Sequence, residues 1–323
     1  MPTTQPLISI PILTYNGEKY LREQLDSIYA QTYKNIEVLA FDDGSTDKTV
    51  SILHEYHLKF GLQYTVHAKN LGFLKNGEYS LKACTGDYIA PSDQDDIWKE
   101  HKLEVLMNAI NNNMLIYADS STMDEQGTKF DDHYFGSRWN LIEGNEPLKF
   151  VFGNSISAHA MLFKRELVDK ALPLPDTMDF HDWWLVFCAS CLDNIVLYPE
   201  PLVYYRRHDR QVTNVNKKKS YTLFKRFKFR EQRLIKNRTK ILEMLKSFQS
   251  YQYLDPKKAQ LLLDIFNNMI LYKTVYYNKE LEKLLTENAD TLFYISKKST
   301  KKSKKQISRL CGGIWYHRIR LYT

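Results

Sequence analysis

Three carboxylates fall within four residues, Asp93, Asp95 and Asp96, in the stretch Pro-Ser-Asp-Gln-Asp-Asp-Ile-Trp. The short apolar run Tyr88 to Ala90 leads into them and reads as a buried strand. Asp93 and Asp95 are spaced so that both can face one point just past the strand end. Carboxylates so placed repel unless something positive lies between them, and a hard divalent cation with oxygen ligands is the usual answer. For these residues alone the alternative is a solvated acidic turn that caps a helix starting near Lys99. A second acidic group, Asp42-Asp43-Gly44-Ser45, ends another apolar run. A further carboxylate, Asp182, stands between His181 and Trp183-Trp184, and Arg206-Arg207-His208 follows Tyr205.

These groups need a frame that brings them to one edge. Leu7 to Leu13 is an Ile-rich run suited to a strand buried on both faces. Thr14-Tyr15-Asn16-Gly17 breaks it, and Glu18 to Ala30 has helical apolar spacing. Ile36 to Phe41 is a second strand, and Ser45 is placed to cap a helix over Thr46 to Phe60. A strand over Gln63 to Ala68, a turn at Asn70-Leu71-Gly72, a helix to about Ala83, a helix over Lys99 to Asn111 and a strand over Met114 to Ala118 continue the alternation. The fold class is therefore α/β, with a mostly parallel sheet and helices on both faces. In such sheets ligands lie beyond the carboxyl ends of strands, where Asp42, Asp43 and Asp93 to Asp96 are expected. No GxGxxG follows the first strand and no GxxxxGK[ST] occurs, which removes support for dinucleotide and P-loop versions.

From Asp119 to Phe152 the pattern weakens, and a long insertion is expected to carry selectivity. Ser157 to Phe163 reads as a strand, Phe180 to Leu192 as a helix, and Ile195 to Tyr198 and Leu202 to Tyr205 as two short strands divided by Pro199 and Pro201. Residues 1–215 hold 19 Lys+Arg against 30 Asp+Glu, whereas 216–323 hold 26 against 8. This asymmetry predicts an acidic catalytic domain over 1–215 and a basic helical extension over 216–323. Helical spacing covers Tyr221 to Phe248 and Lys257 to Leu285, and the Lys/Ser run from Lys297 to Lys305 is expected to be disordered. Cys188 and Cys191 lie two residues apart within an apolar helical pattern, which favours buried thiols over a zinc or redox pair. The N-terminus has no signal-peptide pattern and no apolar run spans a bilayer, so a cytoplasmic protein is expected, free or peripheral on the inner face of the cell membrane.

Five elements in this order resemble a family 2 glycosyltransferase with the nucleotide-sugar-binding GT-A fold: Thr14-Tyr15-Asn16, Asp42-Asp43-Gly44-Ser45, Asp93-Gln94-Asp95-Asp96, His181-Asp182-Trp183-Trp184 and Tyr205-Arg206-Arg207-His208. The Ser-Asp-Gln-Asp-Asp-Ile-Trp form is similar to the rhamnosyltransferase-containing branch of bacterial surface polysaccharide synthesis. The resemblance covers roughly Leu7 to Asn214 and implies transfer of rhamnose or a hexose from a dTDP- or UDP-sugar to a saccharide acceptor, lipid-linked, in capsule, O-antigen or cell-wall synthesis. It implies Mg²⁺ or Mn²⁺ as cofactor, with Asp95 the direct ligand and His208 either a further ligand or a donor to the diphosphate. Asp93 would contact the ribose, or the metal through water, and Asp96 has the weakest claim. Asp43 would accept from the imide N–H of uracil or thymine, beside Tyr15 and Thr14, while Asp42 structures the turn. Arg206 and Arg207 are candidates for the leaving diphosphate, with one of them only a surface charge. Asp182 is the candidate general base, although most of the family has Glu where His181 stands. Trp183 and Trp184 either stack on an acceptor sugar or pack the core.

The basic extension is expected to meet an anionic membrane surface, with Trp315, Tyr316 and Tyr322 suited to the interface. Nucleic-acid binding is not expected, because no such module is present. A sugar nucleotidyltransferase is the alternative within the same fold class, but it calls for a Gly-rich basic loop where Thr-Tyr-Asn-Gly-Glu stands. A non-catalytic membrane- or nucleic-acid-binding module is the third reading.

Overall fold

The computed structural model describes residues 5–209, 211, 223–295 and 299–313. It divides into two compact units, one of residues 1–145 and 154–211, the other of residues 146–153 and 212–323.

The first unit opens with β1 (Ile8–Thr14), α1 (Leu21–Tyr29), β2 (Ile36–Asp42), α2 (Thr49–Phe60), β3 (Gln63–Val66), α3 (Phe73–Ala83) and β4 (Tyr88–Ile89). There follow β5 (Ile97–Trp98), α4 (Lys102–Ile110), β6 (Leu115–Met123), β7 (Lys129–Asp131), α5 (Tyr134–Arg138), β8 (Met161–Lys164), α6 (Glu166–Ala171), α7 (His181–Leu192) and β9 (Ile195–Arg206). The sheet runs β3-β2-β1-β4-β8-β6-β9-β5, with β7 paired to β6. β1 is flanked in parallel by β2 and β4, so Thr14 lies beside Asp42 and the loops after all three strands open on one edge. Alternate residues Ile8, Ile10 and Ile12 pack in one core with Leu21, Leu25 and Ile28 of α1 and Leu103 and Leu106 of α4. This burial, not local propensity, holds the strand frame.

The α/β expectation stands, with a mixed rather than wholly parallel far side. β8 is antiparallel to both β4 and β6, and β9 is parallel to β6. An antiparallel strand delivers the residues that precede it, here the 3₁₀ turn Ala158–Ala160, to the edge where its neighbours β4 and β6 end.

Several element boundaries differ from the sequence reading. β6 continues to Met123 through the polar residues Asp119 to Thr122, all buried with it. Leu202 to Tyr205 does not form a separate strand: β9 is one strand, and its register against β6 shifts between Ala118 and Ser120 where Pro199 and Pro201 fall. A strand irregularity is where Pro, lacking an N–H, is tolerated. Ser45 does not cap α2. The helix starts at Thr49, whose amide bonds Asp47 Oδ1 at 2.9 Å.

The second unit contains α8 (Leu223–Gln249), α9 (Pro256–Met269), α10 (Lys279–Glu287), α11 (Ala289–Leu292) and α12 (Ser299–Cys311). The expected helix over Lys257 to Leu285 is broken by a 3₁₀ turn, Ile270–Lys273, and restarts where the Asn278 side chain accepts from Leu281 N. From Ser299 on, the Lys/Ser run is helical, because Ile307, Leu310 and Cys311 at its C-terminal end give α12 an apolar stripe to bury. Phe152 stacks on Phe293 at 5.1 Å and Glu146 pairs with Lys258 at 2.9 Å, which ties residues 146–153 into this unit. No described helix is long and apolar enough to cross a membrane. Trp315, Tyr316 and Tyr322 lie outside the described residues.

Candidate active site

The loops after β1, β2 and β4 are bonded into one floor. Asp42, fully buried, accepts from Thr14 Oγ1 at 2.9 Å and from the Gly44 and Ser45 amides. It structures the turn, and it commits the Thr14 hydroxyl. Asp43 follows with both carboxylate oxygens accepting backbone N–H groups, Leu71 at 2.6 Å and Gly72 at 2.9 Å, so it fixes the loop ahead of α3. Tyr15 is half exposed. Its amide donates to Gln94 Oε1 at 2.9 Å and its carbonyl accepts from Gln94 Nε2 at 3.1 Å, which clamps the β1 loop to the acidic stretch. Gly17 makes room for that clamp: a Cβ there would lie 2.2 Å from Gln94 Oε1.

The three acids separate into two groups. Asp95 Oδ2 lies 2.8 Å from His208 Nε2, so the two residues expected to hold the metal are together. Asp93 and Asp96 instead converge on His159, a residue the sequence reading did not single out. His159 Nδ1 is 3.3 Å from Asp93 Oδ2 and 3.3 Å from Asp96 Oδ2. Its Nε2 lies 3.0 Å from Ser120 Oγ, an outer contact of the kind that orients a metal-ligating imidazole. Asp96, the weakest candidate by sequence, is fully buried; it accepts the Arg206 amide at 3.1 Å, while its Oδ2 has no hydrogen-bond partner among the described residues.

Burial, with Asp95 and Asp93 nearby, pushes the Asp96 carboxyl up to about 8. Burial acts the same way on Asp93, but the hydrogen bond and charge of His159 hold it below its ordinary value. Burial opposes protonation of His159, and the charges of Asp96 and Asp93 more than offset it. Beneath the group, fully buried Lys102 donates to the His159 carbonyl at 2.7 Å and sits over the Trp98 ring at 3.2 Å. Burial lowers its pKa well below the usual lysine value, against the pull of Asp96 and Asp93.

A divalent cation fits this donor set. One ligand atom each from Asp93, Asp96 and His159 lie within 4.8 Å of one another, and Asp96 Oδ2 is a buried acceptor without a hydrogen-bond partner among the described residues. Two carboxylates and an imidazole suit Mn²⁺, and Mg²⁺ with more of its own water.

Arg206 is not a surface charge. It is 1% exposed; Nε donates to the Asp95 carbonyl at 3.0 Å, and its other nitrogens reach the Glu125 carbonyl and Glu23. It pins the acidic loop to the end of β9. Arg207, half-buried, is next to Tyr205 and Tyr134, its guanidinium 5.4 Å from each ring. Asp182 lies in the first turn of α7. Burial pushes its carboxyl up to about 7, with Asp93 raising it and the Trp183 and Ala158 amides and His159 lowering it. His181 is buried, its pKa lowered by burial to about 4, and its Nδ1 has no hydrogen-bond partner among the described residues. Trp183 is half-buried beside Asp182. Trp184 is a core residue rather than part of an acceptor surface: it is 4% exposed, and its N–H is committed to the Ala171 carbonyl at 2.7 Å.

Residues 9–172 match the family described as Glycosyl transferase family 2. The chain belongs to this family. An uncharacterised glycosyltransferase of Haemophilus influenzae is 32% identical over 225 residues, 65% of this chain and 68% of that protein. A second, from Rickettsia typhi, is 32% identical over 224 residues, 66% and 67% of the two chains. Among solved structures, Staphylococcus aureus TarS 1-349 in complex with UDP-GlcNAc superposes with a TM-score of 0.56 at 18% identity, over 88% of this chain and 81% of that one. The mannosyltransferase PcManGT from Pyrobaculum calidifontis, in complex with GDP-Man and Mn²⁺, does so with a TM-score of 0.53 at 16% identity, over 94% and 79%. The fold is the GT-A type, and the family makes this chain a glycosyltransferase.

Proposed function

We propose that this glycosyltransferase is inverting and metal-dependent, and moves rhamnose or a hexose from a dTDP- or UDP-sugar to a saccharide acceptor. The observation that carries the reading is the meeting of the Asp93–Asp96–His159 donor group with Asp182, whose pKa of about 7 is near that of an effective base at neutral pH. The nucleoside end of the donor lies along β1 and β2, with the base on Tyr15 and its imide N–H directed to Asp43. Arg207 supplies charge to the diphosphate. Asp93, Asp96 and His159 would hold the cation, with Asp95 and His208 adjoining it. A bound cation would supply the positive charge that offsets the diphosphate. Asp182 takes the acceptor hydroxyl proton. The freed oxygen attacks the anomeric carbon, and the bonding electrons of the departing C–O bond leave with the diphosphate.

Beyond Val215 the excess of basic residues, 26 against 8, supports peripheral attachment to an anionic membrane, where a lipid-linked acceptor for capsule, O-antigen or cell-wall glycan would reside. The test is nucleoside diphosphate release from a panel of UDP-, dTDP- and GDP-sugars with Mn²⁺, Mg²⁺ or chelator. Metal-dependent release from a UDP- or dTDP-sugar is the expected result. Equal release in chelator would refute the metal, and release from GDP-sugars alone would refute the base assignment.

A further inference from the structure

The segment hung between β6 and β8 carries a device that the reaction above does not use. Asp119, in the middle of β6, is 1% exposed and far too polar for its position unless fully bonded. Its Oδ1 accepts the Ser120 amide at 2.7 Å and the Phe135 amide at 2.9 Å, and its Oδ2 accepts the Gly136 amide at 2.8 Å. A five-residue helix cannot hold itself in place. This buried carboxylate does so, fixing α5 by two of its own amides. Gly136 permits the approach, since a Cβ there would meet Asp119 Oδ2 at 2.8 Å.

What α5 presents is aromatic. The ring centroids of Phe135 and Trp139 are 5.8 Å apart, and those of Tyr134 and Phe135 are 5.0 Å apart. Tyr134 also lies 5.3 Å from Tyr205, which stacks on His159 at 5.0 Å. Tyr134, Phe135 and Trp139 are only half-buried, so a group with so much apolar surface stays open at the rim of the catalytic site. Its side of the site is informative. The donor nucleoside is assigned to β1 and β2, whereas α5 hangs from β6, beyond β4 and β8 in the sheet order. That is the side of the cation group away from the nucleoside.

We propose that Tyr134, Phe135 and Trp139 form the acceptor platform of this enzyme, a set of rings fixed by Asp119 that takes the C–H face of the acceptor's pyranose ring and delivers its hydroxyl to Asp182. The inference rests on the glycosyl-transfer reading. Sugar rings have one face rich in C–H groups, and half-open aromatic side chains with few rotatable bonds hold such a face at small entropic cost. Asp119 is a positioning residue: it touches no substrate and acts through α5.

The experiment measures nucleoside diphosphate release, with the donor identified by the panel, as a function of added p-nitrophenyl pyranosides of glucose, galactose, N-acetylglucosamine and rhamnose. At least one glycoside should stimulate release above the rate with water alone. Trp139→Ala and Phe135→Ala should each raise the KM for that glycoside about tenfold, while the donor KM moves less than twofold. Trp139→Phe should restore most of the glycoside affinity, and Asp119→Asn, which puts an N–H₂ against one of the bonded amides, should raise the glycoside KM as well. If the donor KM rises and the glycoside KM does not, the rings serve the donor and the inference fails. If donor turnover is present but no glycoside stimulates it, the inference also fails. Absence of donor turnover in the unaltered enzyme would instead overturn the glycosyl-transfer reading itself.

Discussion

Asp182 carries a measurable signature because burial sets its pKa near 7. A base works only when deprotonated, so kcat should rise with pH through about 7 and then level off, read from initial rates between pH 5.5 and 9 at saturating donor. A flat profile would contradict the assignment. Stability should run the other way. Between the ordinary aspartate value near 4 and about 7, the folded chain keeps a proton that the unfolded chain releases, so the folded state loses stability as pH rises across that window. Asp182→Asn should therefore melt about 2 °C or more higher than the unaltered protein at pH 8, while kcat falls by about 10²–10⁴. Asp96 and His159 give a second residue-scale test. His159→Ala and Asp96→Ala should each weaken Mn²⁺ binding about tenfold or more in calorimetry. Asp95→Ala should do the same if the Asp95–His208 pair completes the site, and a normal affinity in all three would move the metal elsewhere.

At the scale of elements, the two loops that meet at Tyr15 and Gln94 act as one piece. Gly17→Ala would drive its Cβ into Gln94 Oε1. The displaced group is the end of a flexible side chain, so the melting temperature should barely move. The clamp on Tyr15 would open, and the donor KM should rise severalfold, as in Gln94→Ala. An unchanged donor KM in both would show that the clamp is incidental. The loops themselves were readable because mainly apolar runs mark β1, β2 and β4, with the turn Tyr15-Asn16-Gly17 after β1 and acids at the ends of β2 and β4. His159 was hidden for a topological reason. Read as part of a strand from Ser157, it would lie inside the sheet, but β8 begins only at Met161 and runs antiparallel, so the turn before it reaches the active edge. Asp119 was hidden because hydropathy ends the strand at Ala118, whereas in the fold its carboxylate is satisfied by amides 16 and 17 residues away. Which of Arg206 and Arg207 is only a surface charge was open in the sequence for the same reason: the partners that bury Arg206, Glu23, Asp95 and Glu125, are distant in sequence.

At the scale of the whole molecule, charge asymmetry located a change of character near Val215 but could not reveal that residues 146–153 pack with the second unit. Phe150 is fully buried and Phe152 stacks on Phe293 there. A chain cut at 215 should therefore expose both rings and elute from size-exclusion as aggregate, where the full chain does not. A monomeric fragment with an unchanged melting temperature would refute that dependence. The full chain should also sediment with vesicles containing anionic lipid, less so as salt is raised, and not with neutral ones. A single displacement in which Asp182 activates the acceptor fixes the anomeric configuration of the first-formed product, which proton NMR reads directly. The expected product has a linkage opposite in configuration to that of the donor sugar. A product that keeps the donor's configuration would contradict the single displacement.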